Sequence, residues 1–289
     1  MPYTGFQGNV QQALRPFPQY QWIYTDVLQN RGTAAYDSLQ MTLERRFAAG
    51  LQTQASFSWQ KTITDSDSLL PGINGGIAQV QDPQNLKLDR SVSSQDVPVM
   101  FTAAWIYELP FGKGKKMLQS GIGSALLGGW QIGGVLRYQS GVPTTFCGAA
   151  GIPGWDQCIR FNRVAGQSVL TSAATSGSFD PFKDRQFNRG AFADPNANRT
   201  GNQPFSLGNF PRNNTDARTW GYKNEDFSLI RNIRIREPFT LQIKAEFLNA
   251  FNRHIFAAGN QSPNDPNFGL VTGTVDTPRN MQFAFRLNF

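Results

Sequence analysis

The sequence predicts an all-β protein, an antiparallel sheet of seven or eight long strands forming a segment of a transmembrane β-barrel. Three observations predict it. Stretches of the chain alternate apolar and polar residues one by one, the period of a strand with two unlike faces. These stretches reach the roughly 9–11 residues that a spanning strand needs, against about 5–6 in an ordinary globular strand. The connections alternate short and long, as when tight turns sit at one membrane face and extended loops at the other.

Taken in order, residues 1–18 are rich in Pro and Gln and read as loop. Residues 19–28, with Trp22, Ile23 and Tyr24, form the candidate eighth strand. In 34–47, Leu39, Met41 and Leu43 alternate with Gln40, Thr42 and Glu44. Ala48-Ala49-Gly50 turns the chain into 51–61, where Thr53, Ala55, Phe57 and Trp59 share a face and the other is polar throughout. That second face suits a wet lumen better than a core. Residues 62–95 are a polar loop, and 96–109 set Val99, Phe101, Ala103, Trp105 and Tyr107 on one face. After the connection 110–127, strand 128–140 points Trp130, Ile132, Leu136 and Tyr138 outward. Residues 141–224 form a very long connection, a length that counts against a compact soluble domain but suits the outer rim of a barrel. Strand 225–236 carries Phe227, Leu229, Ile233 and Ile235 on its apolar face, with Arg231 as the exception. Glu237-Pro238 turns into 239–250, loop 251–277 follows, and 278–289 closes the chain with Met281, Phe283, Phe285, Leu287 and Phe289 on one face.

Composition narrows the function. Hydrophobic residues make up 39% of 289 and the mean hydropathy is −0.39, values that conceal a barrel because only alternate strand residues meet lipid. No stretch approaches about 18 apolar residues, which excludes a transmembrane helix. The net charge of +7 is scattered, without the basic stripe or motif that nucleic-acid binding requires. Lys113, Lys115 and Lys116 do not make a phosphate loop, because Lys116 stands where Ser or Thr is needed and Leu109 where the first Gly would be. Gly121-Ile122-Gly123 lacks the third Gly of a dinucleotide fingerprint, which is Leu126 here. Asp65, Asp67, Asp82 and Asp89 lack the spacing of a calcium loop and read as a solvated acidic segment. There is no Gly-x-Ser-x-Gly, and His254, the sole histidine, reads as a loop residue. The reading is therefore of no enzyme, no metal and no cofactor. Cys147 and Cys158 close a short ring and are the candidate disulfide of an extracytoplasmic loop. The first residues have neither the basic nor the apolar region of a signal peptide, so an exported chain would be the C-terminal part of a longer one.

A closing strand ending in Phe resembles that of bacterial outer-membrane barrels, which implies recognition of Phe285, Leu287 and Phe289 by the barrel-assembly machinery. Further stretches resemble the C-terminal half of TonB-dependent receptors of the Oar-like branch, which carry an N-terminal carboxypeptidase-regulatory-like domain. They include Tyr36-Asp37-Ser38-Leu39-Gln40, Glu44-Arg45-Arg46-Phe47, Tyr107-Glu108-Leu109-Pro110-Phe111-Gly112, Gly128-Gly129-Trp130-Gln131, Gln139-Ser140-Gly141-Val142-Pro143, Phe187-Asn188-Arg189-Gly190-Ala191-Phe192 and Phe247-Leu248-Asn249-Ala250-Phe251-Asn252. The resemblance implies a barrel of about 22 strands, an N-terminal plug, coupling to TonB, and the outer membrane of a Gram-negative-type bacterium. The plug and the remaining strands would lie outside this chain.

Three functions follow. In the first, the chain is barrel wall and extracellular loops of a receptor that takes up a scarce nutrient or oligosaccharide; Trp155, Phe182, Phe192 and Trp220 are the candidate ligand-contacting aromatics. On the alternative reading of those aromatics, they pack the long loop against itself. The second function is a small outer-membrane adhesin or binding barrel, and the third is a soluble all-β binding module.

Overall fold

The computed structural model describes residues 2–8, 10–20, 32–67, 80–82, 85–149, 152 and 158–289. The candidate strand 19–28 lies outside these from residue 21 onward. Seven long strands form one antiparallel sheet: β1 (Ala34–Ala48), β2 (Leu51–Thr64), β4 (Val99–Glu108), β5 (Trp130–Gln139), β10 (Tyr222–Arg236), β11 (Phe239–Leu248) and β12 (Asn280–Asn288). Each pairs with the next in chain order, and the two-residue β3 (Ser91–Val92) adds to the end of β2. The sheet is open: β1 and β12 each have one neighbour among the described residues.

Register turns the alternation of each strand into two continuous faces. Met41, Phe57, Phe101 and Tyr138 stand opposite one another across β1, β2, β4 and β5. Ile132, Leu229, Ala245 and Phe283 do the same across β5, β10, β11 and β12. This apolar face is uncovered; Phe283 is 68% and Phe285 72% exposed. On the other face Thr42, Ser56, Thr102, Arg137 and Asn224 line up across five strands. Polar side chains pair across that face, as Ser56 does with Thr102 at 2.6 Å, and Gln282 donates to Glu246 at 2.6 Å. A sheet apolar on one face and polar on the other is stable with lipid on the first and water on the second. Gly134 belongs to the apolar face because the Trp105 indole lies over it. A Cβ there would come within 2.8 Å of that ring.

The connections sort by end. At one end, Ala49 and Gly50 join β1 to β2 and both take positive φ, while Glu237 and Pro238 join β10 to β11. The connection of β4 to β5 is also at this end and contains a short helix, Gly121–Leu127, which the sequence reading treats as plain connection. At the other end lie the described parts of 65–98, 140–221 and 249–279. The long connection is not the structureless loop its length suggests. It holds β6 (Pro143–Thr144) paired with β9 (Asn214–Arg218) and β7 (Asn162–Arg163) paired with β8 (Phe192–Ala193). The main hydrophobic core of the described residues lies here, outside the spanning strands. The reason is geometric: a one-layer sheet has nothing to bury its faces against, whereas a long loop with evenly spread Phe residues can close on itself.

Candidate ligand-binding cap

The three long loops make one cap over the loop end of the sheet. Its centre is Phe146, whose ring meets those of Phe187 at 5.0 Å, Phe192 at 4.7 Å and Phe268 at 6.1 Å. Phe268 comes from 249–279, so that loop is built into the same core. Gln186 ties the two further: its backbone N–H donates to Gly269 O at 2.7 Å, and its side-chain oxygen accepts from Gly259 N–H at 2.7 Å. Cys147 and Cys158 are joined in a disulfide, their Cα atoms 5.6 Å apart.

Loop 65–98 is clamped to the cap by three Arg–Asp pairs. Arg160 pairs with Asp89, and both are almost wholly buried. Arg212 pairs with Asp67 at 3.1 Å, and Arg218 with Asp96 at 2.7 Å. Gln81, also fully buried, accepts from Arg160 N–H at 2.8 Å and donates to Gly208 O at 2.9 Å. Burial pushes Arg212 below its ordinary pKa, and the carboxylates of Asp67, Asp89 and Asp65 act against that shift. Asp65 closes the rim: it accepts from Thr33 N–H at 2.7 Å and from the Thr33 hydroxyl at 2.6 Å. Burial acts to raise its pKa, and these bonds with the Arg212 charge outweigh it, holding the carboxyl below the ordinary value. The acidic segment is thus not solvated; Asp65, Asp67 and Asp89 are bound within the protein. Among the described residues no cluster of three metal-ligating side chains occurs.

At the cap end of β1 and β2 lies a cavity of about 570 Å³, largely on the apolar side of the sheet. Asp37, Leu39, Trp59, Lys61, Asp96 and Arg218 contribute to its lining. Asp37 and Lys61 are directly opposite in register, as are Leu39 and Trp59. Leu39 and Trp59 belong to the lipid-facing side of the sheet, so this cavity stands at the outer rim of the wall and not in the lumen.

The candidate aromatics separate. Phe182 is 95% exposed at the cap surface. Phe192 stacks on Phe210 at 4.8 Å and belongs to the core. Trp220 packs against Phe179 at 4.9 Å and Phe256 at 5.9 Å. Trp155 lies outside the described residues. Phe285 and Leu287 are exposed on the edge strand β12, and Phe289, exposed just past its end, lies near the Phe239 ring at 6.5 Å. His254 is exposed beside Asp276. The sequence reading missed the Arg160–Asp89–Gln81 cluster and the cavity, since their residues lie far apart in the chain and carry no local pattern.

Among curated proteins none matches the chain. Among solved structures, FpvA of P. aeruginosa bound to a heterologous pyoverdine with iron aligns with 87% of this chain at 12% identity and a TM-score of 0.35. This chain spans 19% of the length of that one. The family model for the outer membrane β-barrel domain matches residues 2–282. The chain belongs to the outer membrane β-barrel domain family, and its place is the Gram-negative outer membrane.

Proposed function

We propose that this chain is wall and extracellular cap of an Oar-like TonB-dependent receptor, and that the cap binds the nutrient taken up. The reading rests above all on the sorted connections, short turns at one end and a folded three-loop cap at the other. The sequence blocks from Tyr36 to Asn252 add the subtype. The edges of β1 and β12, unpaired among the described residues, fit a wall within a larger barrel. Each bare backbone group in lipid costs several kcal/mol, so both edges need neighbouring strands. We further propose that the chain acts by binding and not by catalysis.

The test is uptake by cells expressing the intact protein, with an oligosaccharide panel as limiting carbon source. Uptake should need TonB and should fall about 5-fold in Phe182→Ala, the exposed aromatic of the cap, as loss of about 1 kcal/mol of aromatic contact implies. Uptake that persists without TonB would refute the receptor reading.

A further inference from the structure

The helix Gly121–Leu127 lies at the turn end of the sheet, on its apolar side. Two outward-facing residues fix it there. Trp130 donates from its indole N–H to Leu126 O at 3.0 Å, and Arg231 donates to Ala125 O. Trp130 and Arg231 are opposite one another in register, and the guanidinium lies 5.3 Å from the indole centroid. The carbonyls at the end of a helix have no partners within it, so these two donors satisfy groups that would otherwise face lipid. The charge of Arg231 on an apolar face is thereby explained: it is a helix fastener.

The helix turns its apolar residues away from the protein. Ile122 is 79% and Leu126 60% exposed, one turn apart on the same face, with Met117 and Leu118 exposed beside them. Lys113 and Lys116, also exposed, stand on the adjoining turn. Gly112 and Gly128 bring that turn against the helix end. A Cβ on Gly112 would lie 2.8 Å from Gly128 Cα. The apolar face continues the lipid-facing band through Trp130 and Ile132, and the lysines mark a level where headgroups begin. Short turns of such barrels face the periplasm.

We propose that residues 111–127 are an interfacial anchor, with Ile122 and Leu126 sunk in the acyl region of the periplasmic leaflet and Lys113 and Lys116 on anionic phospholipid headgroups. Amphipathic helices bind membranes by this combination of apolar burial and basic charge. The occupant is lipid because the patch is continuous with the lipid-facing band and carries the charge that complements phosphatidylglycerol.

The test uses single-cysteine variants of the intact protein; Cys147 and Cys158 are paired and do not compete for label without reductant. A bimane is placed at Ile122→Cys, at Phe283→Cys in the lipid-facing band, and at Phe182→Cys on the cap. The protein is reconstituted into phosphatidylethanolamine vesicles with and without phosphatidylglycerol. Brominated lipid should quench the label at 122 comparably to that at 283. Iodide should quench it several-fold less than the label at 182. Lys113→Gln with Lys116→Gln should reduce lipid quenching at 122 in phosphatidylglycerol vesicles and leave 283 unchanged. Iodide quenching at 122 equal to that at 182 would place the helix in water and overturn the proposal. So would protection from both quenchers, which would mean that a protein segment or a second copy covers the patch. An unchanged double lysine variant would overturn the headgroup assignment.

Discussion

Arg160 illustrates how single residues hold the cap. Its guanidinium is buried with one carboxylate, Asp89, and a carbonyl, Leu88 O at 3.0 Å. Removing one member of such a pair strands the other charge in a dry site and costs about 3–5 kcal/mol, while replacing both by apolar residues of similar size is often neutral. Asp89→Ala is therefore expected to destabilise the cap by that amount and the double variant Asp89→Leu with Arg160→Met by much less, read from denaturant unfolding followed by tryptophan fluorescence. Phe146→Ala, at the centre of the ring cluster, should cost about 3–5 kcal/mol in the same assay. Acid sensitivity also resolves to residues. Asp65 and Asp276 are held below the ordinary carboxyl value of 3.8. In both, burial opposes ionisation and hydrogen bonds outweigh it, Asp276 accepting from Ile255 N–H at 2.8 Å. A depressed folded pKa adds stability that is complete above the ordinary value and is lost as pH falls through the folded one. Hydrogen exchange at the Thr33 and Ile255 amides, corrected for intrinsic rates, should stay slow from neutral pH to about 5 and rise below about 4. Asp65→Asn should remove that pH dependence at Thr33.

At the scale of the strand, the two faces predict opposite tolerances. Phe283 and Gln282 are neighbours on β12, paired with Ala245 and Glu246. Phe283→Lys places a charge on the lipid face and should cost about 2–4 kcal/mol near the midplane. Gln282→Lys stays on the wet face opposite Glu246 and should change stability by about 0.5 kcal/mol or less. Urea unfolding in vesicles measures both. Equal costs would mean that the two faces meet the same solvent. β12 is also where sequence reading was most direct: Met281 to Leu287 alternate without a break, and the strand is Asn280–Asn288. β4 is shorter than its apolar run suggests. It starts at Val99, because the Asp96 side chain is taken by Thr62 N–H and Arg218, which draw that stretch into the cap.

For the whole molecule, an open seven-stranded sheet with a bare apolar face should need detergent or lipid to stay monodisperse. Size-exclusion chromatography after detergent removal should show aggregation, and a single monodisperse peak without detergent would contradict the lipid-facing assignment. The cap adds a second level of organisation. Loop 140–221 shares one core with 249–279 and three ion pairs with 65–98, so the three loops are joined through the longest of them.

The long strands, their two unlike faces and the sorting of the connections are legible in the residues themselves. Those properties are local: a side chain's face follows from its position in the alternation, and a span's length from the bilayer. The residues also single out Cys147 with Cys158 and the Phe-rich long connection. Long-range contacts set the rest: this connection folds into a cap, Asp65, Asp67 and Asp89 are bound within the protein, Phe192 and Trp220 pack inward while Phe182 does not, and Arg231 fastens a helix. Those outcomes depend on partners far apart in the chain, as Arg212 is from Thr64 and Arg231 from Ala125, and no local period records such pairings.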